Sequence, residues 1–301
     1  MLEHRRLKFF MAVAEELHFT RASARLRIAQ PHLSQEIRRL EREIGVELFV
    51  RTKRSVALTP AGHTFLQHVR AVLDATADAV HAAQRASRGE IGRLRLGFVS
   101  TAAHTVIPKA VARFRSAYPD VELLLSELNS DEGLEALRAG QLDLCLLLPP
   151  RSVDPALKIE QVWLEPLVVV LPPNHRLASR QRIALQQLKS EPWVLWRREI
   201  ASRLYDEVIA ACAAAGFEPR VAQRVRRATT AMSLVASGIG VTLLPMAVAR
   251  LGISRAIHRH LRSPGASVPM AFAWRQDQTA PVLAHFIAVV RDPSLRRQAR
   301  T

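Results

Sequence analysis

An α+β multidomain architecture follows from three features of this 301-residue chain. It comprises a small helical N-terminal unit, a long helix after it and a larger α/β C-terminal part. Residues 19–62 compress two capped helices, a tight turn and a basic hairpin into one short run. Residues 59–88 hold a helical pattern with no proline after Pro60 and no glycine between Gly62 and Gly89. From about residue 92, apolar strands alternate with helical stretches, which predicts helices covering a mostly parallel sheet.

The N-terminal segment reads as an amphipathic helix, and Phe19 and Thr20 follow as a hydrophobic N′ residue and an N-cap. A short helix runs through Leu26, and Arg27, Ile28 and Ala29 form a turn. Gln30 and Pro31 open the next helix, because proline near the start of a helix sacrifices no needed N–H. Gly45 stops that helix after Ile44. At about 100° per residue, Leu33, Ile37, Leu40 and Ile44 fall on one side and face a core. Pro31, Gln35, Arg38 and Arg42 fall opposite, flanked by Ser34 and Arg39. Amide, hydroxyl and guanidinium groups on one exposed helix face suit the major groove of duplex DNA, where Gln pairs with adenine and Arg with guanine or phosphate. A solvated charged face is the bland alternative. The preceding helix and turn, together with the hairpin that follows, favour the winged helix-turn-helix. In that hairpin, Leu48–Val50 and Val56–Leu58 are strands, and Arg51, Thr52, Lys53 and Arg54 lie at the turn, within reach of sugar-phosphate.

Thr59 and Pro60 cap the long helix. Phe65, Val69, Val72, Thr76, Ala79 and Ala83 recur at alternating spacings of 4 and 3, a coiled-coil seam widened by Leu66, Leu73 and Val80. Thr76 is the polar member, and its hydroxyl is placed to bond a carbonyl one turn back. A helix packed on its own domain is the other reading; the length of the seam favours a dimer. Two-fold symmetry would then impose a pseudo-palindromic duplex site.

Residues 87–92 read as a linker. LRLGFV is a strand followed by a helix through about Arg115; VELLL is a strand followed by a helix ended by Gly140; LDLCLLL is a third strand. A second round begins at LEPLVVVLP and continues through WVLW, a helix over about 201–215, RVAQRV and the passage MSLVASGIGVTLLP. VPMAFAW and a helix from Pro281 close the chain. Two lobes of this kind leave a junction cleft where small ligands bind. Three strand-to-helix passages would line it: Ser100 and Thr101, Asn129 and Ser130, and Thr229 and Thr230. Hydroxyls beside free helix N–H groups suit a carboxylate, and ordinary N-capping is their plain alternative.

Composition bounds the function. With 49% apolar content the chain holds a sizeable core in two or three units. No stretch reaches 18 uncharged apolar residues, and MLEHRRLKFF enters a helix without a cleavable apolar segment, so a cytoplasmic, non-membrane protein is expected. Of the formal charge of +16, residues 1–90 hold 15 Lys and Arg against 10 Asp and Glu, and residues 91–301 hold 28 against 17. Most of the excess lies outside the helix-turn-helix, and a scattered basic surface is its simplest explanation. Cys145 and Cys212 sit in apolar surroundings, where buried, inert thiols are the default. An enzyme is disfavoured by the lack of a GxSxG elbow, a phosphate-binding glycine loop or HExxH. His258 and His260 form an HxH pair in a basic run, read as surface and not as a metal site. No cofactor is implied. A transport solute-binding protein is disfavoured by the N-terminal DNA reader.

Three motifs, LKFFMAVAEELHFTRASARL, IAQPHLSQEIRRLEREIGVELFVR and ALTPAGHTFL, make residues 1 to about 88 resemble the DNA-binding module of the LysR-type transcriptional regulators. The whole chain matches that family in length and order of parts. The resemblance implies a winged helix-turn-helix over 1–58, a linker and dimerisation helix over 59–88, and a periplasmic-binding-protein-like effector domain over 89–301. Lobe I would span about 91–162 and 268–301, and lobe II about 163–267. It implies that Gln30, Pro31, Ser34 and Gln35 approach base edges or nearby backbone, with Thr20, Arg51 and Arg54 at phosphate. Many relatives carry arginine where this chain has Gln35, so the resemblance does not fix that groove contact or the operator base it would read. It also implies Thr101 and Ser130 as ligand contacts, with Trp196 and Arg197 at the strand end facing the cleft. The implied partners are pseudo-palindromic double-stranded DNA, a small effector, further copies of the chain as dimer or tetramer, and RNA polymerase, on the bacterial nucleoid. The stretch GFVSTAAHTVIPKAVARFRSAYPDVEL resembles members controlling catabolism of aromatic compounds, which implies an aromatic or dicarboxylic acid. A redox-responsive member is the alternative.

Overall fold

The computed structural model describes residues 3–52, 55–152, 154–252, 254–263 and 265–292. The chain divides into two compact units, Met1–Arg85 and Ala86–Thr301. The first contains α1 (His4–Glu16), α2 (Phe19–Leu26), α3 (Gln30–Ile44), β1 (Phe49–Arg51), β2 (Val56–Leu58) and most of α4 (Pro60–Ser87). Its core joins Phe10, Val13, Ala22, Leu33, Ile37, Leu40, Leu48 and Phe49. The apolar side of α3 is thus buried as its periodicity requires. Gly45 ends α3 in the left-handed region at φ 80°, a conformation that costs glycine nothing.

The α2 cap differs from the sequence expectation. The helix starts at Phe19, and His18 is the N-cap: its Nδ1 accepts from the N–H groups of Thr20 and Arg21. Thr20 therefore lies within the first turn, exposed. A histidine ring nitrogen serves as acceptor here, which residue preferences for Ser, Thr, Asp and Asn do not anticipate. The α4 cap is as expected: Thr59 Oγ1 accepts from Gly62 N at 2.9 Å and donates to Glu47 O at 2.8 Å.

The second unit runs β3 (Gly92–Phe98), α5 (Ser100–Ala103), α6 (Ile107–Ala117), β4 (Val121–Glu127), α7 (Ser130–Arg138), β5 (Leu144–Leu147) and β6 (Leu157–Leu171). It continues with β7 (Arg182–Ile183), β8 (Pro192–Trp196), α8 (Ser202–Ala214), β9 (Arg220–Val225), α9 (Ala228–Ala236), β10 (Thr242–Pro245) and α10 (Met246–Ala249). β11 (Ile257–Leu261), β12 (Ser267–Arg275) and α11 (Pro281–Arg291) complete it. The helix predicted after the first strand is two helices: Thr105 turns its hydroxyl onto Thr101 O at 3.0 Å, and Pro108 starts α6 afresh.

The sheet is mixed, which corrects the mostly parallel expectation. β4, β3 and β5 pair in parallel, but β12 is antiparallel to both β5 and β6, and β6 is antiparallel to β10 and β11. The cause is β6: it is 15 residues long, paired with β12 along its first part and with β10 and β11 along its second. Two long antiparallel strands therefore form the crossings between the lobes. Glu165 lies buried on β6 in register with Val268, its carboxylate accepting from Trp163 Nε1 at 3.0 Å and Ala247 N at 2.9 Å. Burial raises its pKa, against the lowering effect of these bonds. β8 and β9 form a separate parallel pair.

Candidate nucleic-acid interface and ligand cleft

Arg6 and α3 together fix the orientation of the face that α3 presents. The guanidinium of Arg6, 1% exposed, donates to Glu36 at 2.9 Å, Glu43 at 2.6 Å and Glu3 at 2.9 Å. Burial opposes its charge, but the bonds to Glu36 and Glu43 outweigh that and raise its pKa. Two carboxylates of α3 are thus drawn toward α1, leaving Pro31, Gln35, Arg38 and Arg42 exposed and Ser34 half-buried.

Gln30, Pro31, Ser34, Gln35, Arg38 and Arg51 line one open concavity of about 1200 Å³ between α3 and β1. Arg51 is held inside it: its guanidinium pairs with Glu41 and lies 5.0 Å over the Phe19 ring. Glu41 also accepts from Leu48 N at 3.0 Å and Phe49 N at 3.2 Å. One carboxylate therefore ties the hairpin to α3. At the hairpin turn, Thr52 N donates to Ser55 O at 2.9 Å. Arg54 lies outside the described residues, as does Lys53.

A cleft of about 600 Å³ opens in the second unit where α5, α7, α8 and α9 begin. Of the residues singled out from sequence, Ser100, Thr101, Asn129, Ser130, Trp196 and Thr229 line it. Thr230 and Arg197 do not line it; both are exposed, and Arg197 N donates to Val225 O at 2.9 Å. Thr101 is 6% exposed, and its hydroxyl has no hydrogen-bond partner among the described residues. Ser130 Oγ accepts from Leu148 N at 3.2 Å. Asn129 has the plain role: Oδ1 accepts from Glu132 N at 2.9 Å while Glu132 Oε2 accepts from Asn129 N at 3.0 Å, a full capping box.

Three cleft residues were missed. Ser202 Oγ donates to Asp131 Oδ2 at 2.8 Å, joining the first turns of α7 and α8 across the opening. Arg203 bonds Glu207 at 2.8 Å through NH2, yet its Nε and NH1 are buried without partners. The Asp131–Ser202 contact has no sequence signal, since it depends on two helices distant in the chain; Arg203 and Glu207 are an i,i+4 pair legible on α8, but the burial of the other Arg203 nitrogens is not. Cys145 and Cys212 are buried and free, and burial pushes both thiols up to about 12. No group of His, Cys, Asp and Glu fit for a metal occurs among the described residues.

A winged helix-turn-helix with an exposed polar recognition face, joined to a two-lobed unit with a ligand-sized cleft, defines a ligand-responsive DNA-binding protein. Residues 4–63 match the bacterial regulatory helix-turn-helix protein, lysR family, and residues 87–293 match the LysR substrate binding domain. The chain is 38% identical to the transcriptional regulator AlsR of Bacillus subtilis over 288 residues, covering 96% of this chain and 95% of AlsR. It is 35% identical to the Hca operon transcriptional activator HcaR of Escherichia coli, covering 97% and 98%. The crystal structure of CbnR, a LysR family transcriptional regulator, superposes with a TM-score of 0.84 at 29% identity, covering 96% of this chain and 100% of CbnR. Full-length CbnR complexed with its target DNA gives 0.84 at 28% identity, covering 99% and 100%. The chain belongs to the LysR family of DNA-binding transcriptional regulators, with an effector-binding domain following the helix-turn-helix.

Proposed function

We propose that the cleft binds a small carboxylic acid, aromatic or dicarboxylic, and that its occupancy changes how a homo-oligomer of this chain holds a pseudo-palindromic operator. The observation carrying the ligand class is Arg203, which lines the cleft and whose Nε and NH1 are buried without partners. A buried polar group without a partner is costly, and a bound acceptor removes the cost. The orphaned nitrogens of Arg203 and the uncapped start of α8 favour a negative ligand in the same place. Apolar walls from Val99, Leu128, Leu148 and Trp196 suit a carbon skeleton or ring.

The oligomer assembles first as a dimer through α4. Val72 and Val80 are 48% and 52% exposed on that helix, and a lone exposed apolar seam calls for a second helix. Two such dimers form a tetramer. Gln30, Ser34 and Gln35 read base edges, while Thr20, Arg38, Arg51 and Arg54 hold backbone or bases beside them. Ligand shifts the lobes, the angle between paired readers changes, and polymerase access to the promoter changes with it. The protein works in the bacterial cytoplasm, on the nucleoid, without catalysis. A redox-responsive reading is disfavoured by the burial of both thiols, since the thiolate is the reactive form.

Thermal shift with benzoate and with succinate tests the ligand class. An acid at a hundred times its Kd stabilises by about 2.7 kcal/mol, and Thr101→Val should abolish the shift while leaving DNA affinity intact. A parent protein indifferent to both acids, or a valine variant responding in full, would contradict the reading.

A further inference from the structure

The excess charge of the C-terminal unit is concentrated in one lobe. No Asp or Glu occurs between Glu165 and Glu191, or between Glu218 and Asp277. Folding brings these two stretches together. β11 pairs in parallel with β7, placing His260 opposite Arg182, and Arg262 N donates to Ile183 O at 2.9 Å. Residues paired across strands project to the same face, and side chains alternate along each strand. Arg182, His258, His260 and Arg262 therefore share one face. Arg250, at the end of α10, closes in from the side: after burial, which is the larger effect, the charges of Arg250, Arg259 and His260 all depress the pKa of His258.

Arg180, Arg182, Arg255, His260 and Arg262 are exposed, and none has an ion-pair partner among the described residues; Arg250, also exposed, has the buried Glu165 carboxylate as a nearby counter-charge. Elsewhere in this unit many arginines are matched by a carboxylate, as in Arg95 with Asp143, Arg138 with Asp154, Arg198 with Asp206 and Arg291 with Glu160, while Arg115, Arg197, Arg220, Arg224, Arg226 and Arg227 have no ion-pair partner among the described residues; the β7–β11 face differs in having no acidic residue in the two stretches that form it. Assembling like charges without counter-charges opposes folding, and guanidinium groups match phosphate geometry. In the N-terminal unit the same condition, exposed arginines without carboxylate partners, holds at Arg38 and Arg42 on the recognition face.

We propose that the β7–β11 margin of the second lobe is a second, sequence-independent contact for duplex DNA, holding backbone phosphates while α3 reads bases. DNA is the partner because the chain already binds it, so phosphates are present at high effective concentration once α3 is engaged. The site is separate from the cleft and does not depend on which effector the cleft takes.

The test uses the full chain and a random-sequence duplex, with affinity measured by fluorescence anisotropy over a salt series. Each phosphate contact contributes about 0.9 to the slope of log K against log salt. Arg180→Gln/Arg182→Gln/Arg262→Gln, folded as judged by circular dichroism, should reduce that slope by between about 1 and 3 and weaken binding at low salt. The triple lysine variant should keep the parental slope, and base preference at a selected operator should be unchanged in both. A glutamine variant with the parental slope would overturn the proposal, also where promoter activity falls, which would assign the face to an acidic protein. A lysine variant that loses slope as much as the glutamine variant would overturn it too, because charge would then not be the cause.

Discussion

Asp143 accepts from Arg95 three times, through its backbone N at 2.8 Å, Nε at 3.1 Å and NH2 at 2.7 Å, and from Gln278 Nε2 at 3.2 Å. Burial alone would raise its pKa, but the Arg95 side-chain and backbone bonds outweigh it and hold the carboxyl below its ordinary value. A depressed native pKa contributes stability that is complete above the unfolded value of about 3.9 and is lost as pH falls through the lower native value. Asp143→Asn should therefore cost about 2 kcal/mol near neutrality, moderated because Arg95 is 37% exposed. In urea melts the difference from the parent should shrink toward the acid end of that window. An undiminished difference at low pH would rule out the ion pair as its source. Arg6 belongs at this scale too. Nothing in HRRLKFF distinguishes it from Arg5, because its role depends on Glu36 and Glu43 coming from another helix. Arg6→Met is expected to lower both thermal stability and operator affinity, read by calorimetry and gel shift, since the α3 carboxylates lose their common anchor.

Among the elements, α3 and the start of α4 were the most legible, because their boundaries are encoded locally in Pro31, Gly45, Thr59 and Pro60 and their faces in helical periodicity. Thr76 fulfils its local expectation, donating to Val72 O at 2.8 Å. The strands β7 and β11 were not legible: RI is too short to show a pattern, and IHRHL places cations on what turns out to be a sheet margin. The parallel expectation failed because alternation of strands and helices reveals neighbours in sequence, not the direction in which β6 and β12 cross between lobes. Gly62 shows how close the hairpin and α4 lie. A Cβ there would stand 2.1 Å from Leu48 O, a backbone atom that has no freedom to retreat. Gly62→Ala should destabilise by about 3 kcal/mol, at the upper end for overpacking, which chemical denaturation would measure. On the exposed side of α4, Val72→Glu/Val80→Glu should shift the dimer toward monomer in analytical ultracentrifugation without unfolding the N-terminal unit. An unchanged sedimentation profile would remove α4 as the dimer seam.

For the whole molecule, effector response requires that the ligand distinguish two arrangements of the lobes. The Asp131–Ser202 bond bridges the cleft at 2.8 Å, so the proposed movement of the lobes would break it. Asp131→Ala should weaken the ligand-free arrangement, so that half-maximal promoter response in a reporter assay occurs at a lower benzoate or succinate concentration, with operator affinity unchanged. A response curve that does not move would exclude this bond from the switch. Regulation at a particular operator further requires that the outward face of α3 read base edges, as proposed. The most direct measurement of this is a selection of bound sequences from a random duplex pool, comparing the parent with Gln30→Ala and Gln35→Ala. A symmetric consensus of two half-sites is expected for the parent, and loss of preference confined to related positions in both half-sites for each variant, with a discrimination loss of about 1–3 kcal/mol at those positions. A consensus that survives both substitutions unchanged would contradict base reading by α3.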